Sequence, residues 1–372
     1  MQTLIKQMNA DNISRLIKNC AVVFCLITAG TALHAQVSTT LKPITKITPG
    51  TVWKDTNGEV IEAHGGGIMQ QGNIYYWYGE NHAKGEGNKT GISCYSSKDL
   101  LNWHNEGVVL PKEALPVAFR DSGACERPKV IYNDRTKKYV MWMHLVARGH
   151  LEADAGIAVA DQPAGPFKYL YKTRPIRYNY GYRGGSARTY VGDPEEETKG
   201  NTFRDMTLFK DSDNKAYVIY ASEDNATMYI SLLNADYEAI ATPAVLNKTW
   251  VRALPGAFRE APAVFKADGW YYMFTSGTTG WKPNPAKVYR AKTMLGKWED
   301  MGNPCAGDEQ QTSFRSQPTC VIPAPGRSAG NFIYMGDRWV GEALAQSTYV
   351  WLPFSVPADG NIRLQFYKEW SF

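Results

Sequence analysis

The chain has 372 residues, 44% of them hydrophobic and 12% aromatic, and a formal net charge of +5. That length buries a full core, and one large all-β domain fits within it. Positive and negative residues are interspersed, without the basic stripe that phosphate binding needs, so nucleic acid is not an expected partner.

The first 35 residues read as a secretory signal. Lys6, Arg15 and Lys18 form a positive start, Ala21 to Ala32 an apolar run, and Leu33-His34-Ala35 places a small residue before a cut near Ala35. The run is shorter than the ~20 residues a membrane span needs, and no later segment spans either. A secreted or periplasmic product, free of the membrane after cleavage, is expected. Cleavage removes three cations and one anion, taking +5 to +3. Cys94, Cys125, Cys305 and Cys320 then remain in an oxidising compartment. Cys305 and Cys320 are near enough in sequence to bridge a loop, but the pairing stays open. No Cys-x-x-Cys is present, so a zinc site is not expected.

Residues 36–372 repeat. Five segments run from a loop end into an apolar strand and then into an aromatic one, marked by Ile68, Val130, Leu208, Val264 and Val321 at steps of 62, 78, 56 and 57. A second signal keeps phase with the first: Trp103, Phe167 and Trp298 each follow a turn, and Tyr237 stands as a degenerate copy. Turn residues such as Gly72-Asn73, Asn133-Asp134 and Asp268-Gly269 separate the strands. Four short strands per unit, repeated five times, predict an all-β, five-bladed β-propeller over roughly 45–372, with only short, protected edges. A β-sandwich would not demand five like units. The long step holds 173–201, read as an insertion between blades, and no helical stripe follows the signal.

The innermost strand of each blade starts near the propeller axis, so polar residues at that position converge. Glu126, Asp205, Glu260 and Gln317 each open a blade. Glycoside hydrolysis needs such a cluster: an acid for the leaving oxygen and, in an inverting enzyme, a partner ~6.5–9.5 Å away with room for water. Neighbouring carboxylates also raise the donor's pKa toward neutrality.

These motifs bear a family likeness. Glu260-Ala-Pro, Arg204-Asp205-Met, and Trp281 after Ser276-Gly-Thr-Thr-Gly280 resemble glycoside hydrolase family 43. Ala63-His64-Gly-Gly-Gly67, Tyr75-Tyr-Trp-Tyr-Gly-Glu80, Glu126-Arg-Pro-Lys-Val130 and Gly336-Asp-Arg-Trp339 resemble its exo-β-1,3-galactanase branch. The resemblance implies an inverting enzyme that releases galactose from the non-reducing end of a β-1,3-galactan or arabinogalactan backbone. Glu260 takes the general acid's place, Asp205 that of the group tuning it, and Glu126 that of an acid near the reacting sugar. The family's usual base, an Asp opening the first blade, is absent: Ala63-His64-Gly65 stands there. In the galactanase branch a last-blade Gln holds the water, and Gln317 fits. An amide is a poor proton acceptor, so either Glu126 helps take the proton or the amide tautomerises. Glu80, Thr278, Gly280 and Trp281 match sugar-binding positions.

Blander roles compete. Glu260 could cap a turn, Asp205 form an Asx turn, Glu126 pair with Arg127, Gln317 close a blade, and Trp281 pack in the core. Gly65 to Gly67 read as backbone clearance rather than a phosphate cradle. An arabinofuranosidase or galactofuranosidase on the same scaffold is the nearest alternative. A carbohydrate-binding propeller without catalysis is the alternative of another class, kept open by the absent Asp. No cofactor is required. Calcium in the channel stays open, although no recognisable set of oxygen ligands supports it. A monomer is expected.

Overall fold

The computed structural model describes residues 43–83, 91–150, 152–178, 199–326 and 330–372. The signal expected over residues 1–35 and most of the expected insertion lie outside them. No helix among the described residues is long and apolar enough to cross a membrane.

Five antiparallel sheets succeed one another in chain order. Blade one holds β1 (His64–Gln71), β2 (Ile74–Glu80), β3 (Gly91–Ser97) and β4 (His104–Pro111). A six-residue helix, α1 (Val117–Ser122), leads into blade two. That blade holds β5 (Ala124–Asn133), β6 (Lys138–Ala147), β7 (Glu152–Ala160) and β8 (Lys168–Thr173). Blade three is β9 (Arg204–Lys210), β10 (Ala216–Ser222), β11 (Thr227–Leu232) and β12 (Trp250–Leu254). Blade four is β13 (Arg259–Ala267), β14 (Trp270–Gly277), β15 (Lys287–Ala291) and β16 (Glu299–Asp300). Blade five has three strands, β17 (Gln317–Pro323), β18 (Asn331–Arg338) and β19 (Thr348–Ser355). Each repeat marker lies on an innermost strand, and each of those strands touches the next, β17 returning to β1. The molecule is a five-bladed propeller.

The sequence explains the elements locally. Aromatic and β-branched residues such as Ile74-Tyr-Tyr-Trp-Tyr78 favour a pleated surface packed on both faces. Asp268 and Gly269 both have positive φ, as a tight two-residue hairpin requires. Alternate residues of one strand feed different layers. In β6, Met141 and Met143 pack toward blade one, and Val140 and Trp142 toward blade three. Five such apolar layers lie between successive blades. Trp103, Phe167, Tyr237 and Trp298 are each buried between the third and fourth strands of their blades.

The ring closes at blade five. Ile47 pairs with Trp370, the Gly50 N–H donates to the Tyr349 carbonyl at 2.6 Å, and Trp370 Nε1 donates to the Trp351 carbonyl at 2.8 Å. The possible Cys305–Cys320 bridge is not formed, and all four cysteines of the propeller are free thiols. Cys305 packs in the layer between blades four and five, whereas Cys320 packs in that between blades five and one. A whole sheet separates them.

Candidate active site

The site begins with a backbone device that recurs in every blade. Pairing between the two inner strands slips at His64/Gly67, Glu126/Lys129, Glu260/Ala263 and Pro318/Cys320, and beside Arg204 in blade three. A β-bulge re-aims side chains and often sits beside a functional site. Here it falls next to Glu126, Asp205, Glu260 and Gln317, which is why four residues distant in sequence meet at one end of the channel. Gly65, Arg127 and Ala261, each just after a blade's opening residue, all have positive φ.

Glu260 is 9% exposed. Its Oε1 accepts from Gln317 Nε2 at 3.0 Å and its Oε2 from Asn225 Nδ2 at 3.1 Å. Burial, reinforced by the nearby Asp205 charge, pushes its pKa up to about 8. It therefore carries a proton at neutral pH.

Gln317 is held on all sides. Nε2 also donates to Ser276 Oγ at 2.9 Å, and Oε1 accepts from Trp339 Nε1 at 2.8 Å and from Arg127 Nη2. Indole and guanidinium can only donate, so the amide oxygen must face them and the NH₂ must face Glu260.

Arg127 organises the rest. It lies 3.0 Å from Asp205 Oδ2, donates to the Pro318 carbonyl at 3.2 Å, and its backbone N–H donates to Glu80 Oε1 at 2.9 Å. Burial works against its charge, but Asp205, Glu80, Asp337 and Glu260 outweigh that and raise its pKa. The blander alternative, Glu126 as half of an ion pair with Arg127, is not the arrangement that forms. The positive φ of Arg127 turns its side chain to Asp205, and Glu126 Oε2 instead lies 3.1 Å from His144 Nδ1. Burial would raise the Glu126 pKa, yet His144, His150 and Arg127 together hold it down at about 2.

Glu80 is no surface residue. It is buried, with Oε2 3.1 Å from His82 Nε2. The glycine run makes room for it: a Cβ on Gly65 would lie 2.1 Å from Glu80 Oε1, and one on Gly67 2.6 Å from Lys129 Cδ. Gly65 also has φ +58°. Gly65→Ala is accordingly expected to cost roughly 2 kcal/mol or more in stability through the strained backbone. By displacing Glu80 and Arg127 it should also lower kcat/KM by about 100-fold. Denaturant unfolding and kinetics on the purified variant check both effects.

A cleft is lined by Gly280, Trp281, Arg315, Gln317, Asp337 and Trp339, among others. Trp281 is 49% exposed and meets Trp339 edge to face at 5.3 Å, so it is a surface ring and not a core residue. Thr278 is half-buried in the same loop but does not line the cleft.

Glu126, His144 and Asp205 bring one donor atom each within 4.8 Å of one another, a set that a cation could use. Calcium prefers six to eight oxygen ligands, and here Arg127 already supplies positive charge to Asp205.

Sequence reasoning missed Arg127 as a hub, and missed Asn225, Trp339 and Asp337. Asn225 ends a turn in which Glu223, Asp224 and Asn225 all have positive φ. The buried Glu223 side chain stabilises that strained turn through Arg252 at 2.6 and 2.7 Å, Thr227 at 2.7 Å and Tyr229 at 2.6 Å. Two signals were present: an acidic pair before Asn225, and an Asp-Arg ending the apolar run of β18.

Comparison with known proteins agrees with this geometry. The model for "Glycosyl hydrolases family 43" matches residues 66–318. A family 43 β-1,3-galactosidase solved with galactodeoxynojirimycin is 38% identical, with a TM-score of 0.78, covering 88% of this chain and 100% of that one. An exo-β-1,3-galactanase from Clostridium thermocellum is 38% identical, with a TM-score of 0.74, covering 87% and 66%. One from Phanerochaete chrysosporium, solved with β-1,3-galactotriose, is 31% identical, with a TM-score of 0.73, covering 88% and 68%. A levanbiose-producing levanase from Geobacillus stearothermophilus is 26% identical over 166 residues, and that match spans 37% of its length. With two thirds of its length matched by the family model, this chain belongs to glycoside hydrolase family 43.

Proposed function

We propose that the protein is an inverting, exo-acting hydrolase that releases galactose from the non-reducing end of β-1,3-galactan, the backbone of arabinogalactans. The observation that carries the reading is Glu260: a buried carboxylic acid, protonated at neutral pH and fixed by Gln317 and Asn225, in a cluster shared with Asp205 and Glu126. Likeness to galactan-cleaving structures supplies the sugar and the linkage.

Glu260 gives its proton to the leaving oxygen. Asp205, balanced by Arg127, raises the affinity of Glu260 for that proton while the substrate is unbroken. Gln317 holds the water, with Glu126 assisting. Trp281 offers an exposed face to a sugar ring, Gly280 and Glu80 complete the sugar site, and Thr278 supports the loop that carries Gly280 and Trp281. The work is done by a monomer, after export beyond the cytoplasm, with no cofactor.

The test is product analysis of the purified protein on linear β-1,3-galactan and, in parallel, on an arabinofuranosylated substrate. Free galactose from the first, initially as the α-anomer by NMR, is the expected result. Arabinose alone would move the activity to an arabinofuranosidase, and binding without product would leave a lectin-like propeller lacking the first-blade Asp.

A further inference from the structure

One buried side chain beside the acids has no part in the reaction above. His144 lies on β6 directly opposite Glu126 of β5, and paired residues of an antiparallel ladder project from the same face of the sheet. From the next blade β9 packs against both strands, and the register shift beside Arg204 carries Asp205 toward the same point. The His144 ring is only 2% exposed. Its Nδ1 stands 3.1 Å from Glu126 Oε2 and 4.0 Å from Asp205 Oδ1, yet among the described residues neither ring nitrogen completes a hydrogen bond. Buried polar groups are nearly always satisfied, so an imidazole aimed at two carboxylates and aligned with neither points to a further partner between them.

The geometry suits a metal ion. One donor atom from each of the three residues lies within 4.8 Å of the others. Ligand atoms on a tetrahedral zinc ion, bound at ~2.0–2.1 Å, stand roughly 3.3 Å apart. The two distances from Nδ1 fall on either side of that value. One imidazole nitrogen and two carboxylate oxygens are ligands that zinc accepts, whereas calcium and magnesium favour oxygen alone. Three protein ligands leave a fourth position open to water. Arg127 does not block the site: it faces Asp205 at Oδ2, 3.0 Å away, and leaves Oδ1 turned toward His144. The other charged or titratable groups around the three are Arg204, His150 and Glu260.

We propose that Glu126, His144 and Asp205 form a binding site for one divalent cation of the zinc class, and that this ion and the substrate exclude one another. The two carboxylates it would take are those placed beside the acid Glu260 and the reacting sugar, so the ion inhibits rather than assists. Exclusion of the sugar rests on the galactanase reading, whereas the ligand set does not. The site draws on blades two and three and uses no thiolate, which is why the cysteine spacing gave no sign of it.

Binding of the ion alone is measured first, by calorimetric titration of zinc chloride into EDTA-treated, desalted wild type and His144→Ala. Wild type should take up one ion per chain. H144A should bind it roughly tenfold more weakly or worse, since even loss of a group that only orients a ligand costs ~10–100-fold. Equal zinc affinity in the two proteins overturns the assignment, as does calcium bound by wild type as tightly as zinc. If H144A does not fold, Glu126→Gln takes its place, with the same expected loss and the same refuting outcome. Saturating zinc should then slow wild-type hydrolysis of β-1,3-galactan by roughly tenfold or more, with recovery on adding EDTA, and excess galactose should weaken zinc binding by reciprocity. Zinc that binds without slowing turnover overturns the exclusion. Wild type that takes up zinc as expected but cleaves neither galactan nor the arabinofuranosylated substrate sinks the galactanase reading and supports the metal site, so the two failures are told apart.

Discussion

Glu260→Gln is expected to lower kcat on β-1,3-galactan by roughly 10²- to 10⁴-fold and to leave galactose binding within a few-fold of wild type. The substitution keeps the shape and the acceptor oxygen facing Gln317, and removes the proton that the leaving oxygen needs. It also predicts a pH signature. An acid must be protonated to act, so wild-type kcat/KM should decline as pH rises through about 8. Stability is linked to the same shift. The folded pKa lies above the ordinary 4.5, so the native state binds the proton more tightly than the unfolded chain. The contribution is fully present below about 4.5 and is lost as pH rises through 8. Gln, always neutral, has no such loss. Melting temperatures between pH 6 and 9 should therefore converge on, or cross to, the side of the variant as pH rises. A variant retaining a tenth of wild-type turnover would rule out Glu260 as the acid.

Arg127→Met carries the second large effect, and it falls on folding as much as on catalysis. Arg127 is the buried cation that Asp205, Glu80, Asp337 and Glu260 share. Removing one partner from a buried ionic group leaves uncompensated charge, at a cost of about 3–5 kcal/mol. The loss should shrink toward pH 5, where the carboxylates accept protons instead. Arg127→Lys restores charge but not the fork that reaches Asp205, Gln317 and the Pro318 carbonyl together. It should recover much of the stability and leave kcat/KM about 100-fold down. Denaturant unfolding at pH 5 and 7, with kinetics on both variants, measures this. Wild-type stability in R127M would show that the cluster does not depend on Arg127.

The fold was legible because a propeller repeats. Ile68, Val130, Leu208, Val264 and Val321 mark one place in five blades, and the residues before them share one backbone bulge. Glu126, Asp205, Glu260 and Gln317 could thus be brought together by phase alone. The rest depends on contacts between blades, which phase does not encode. Asp337 belongs to a second strand and Asn225 to a hairpin turn, so neither stands at the repeated position. The partner of Arg127 is Asp205 in the next blade, which adjacency in the chain does not reveal. Cys305 and Cys320 are neighbours in the chain, but on opposite sides of a buried sheet. Blade five has three strands where the repeat predicts four.

Those ends give the closure of the ring a bearing on function. Asp337, Gln317 and Trp339 come from the last blade, and the groups they meet, Gly65 and Arg127, come from the first two. The cluster is therefore assembled across the line where Ile47 meets Trp370. The first four blades hold Glu260 and Asp205 with Asn225 and Arg127, and Gln317 comes from the fifth. Closure of the ring therefore brings the amide of Gln317 to the carboxyl of Glu260, so the cluster depends on completion of the circle as well as on the acid.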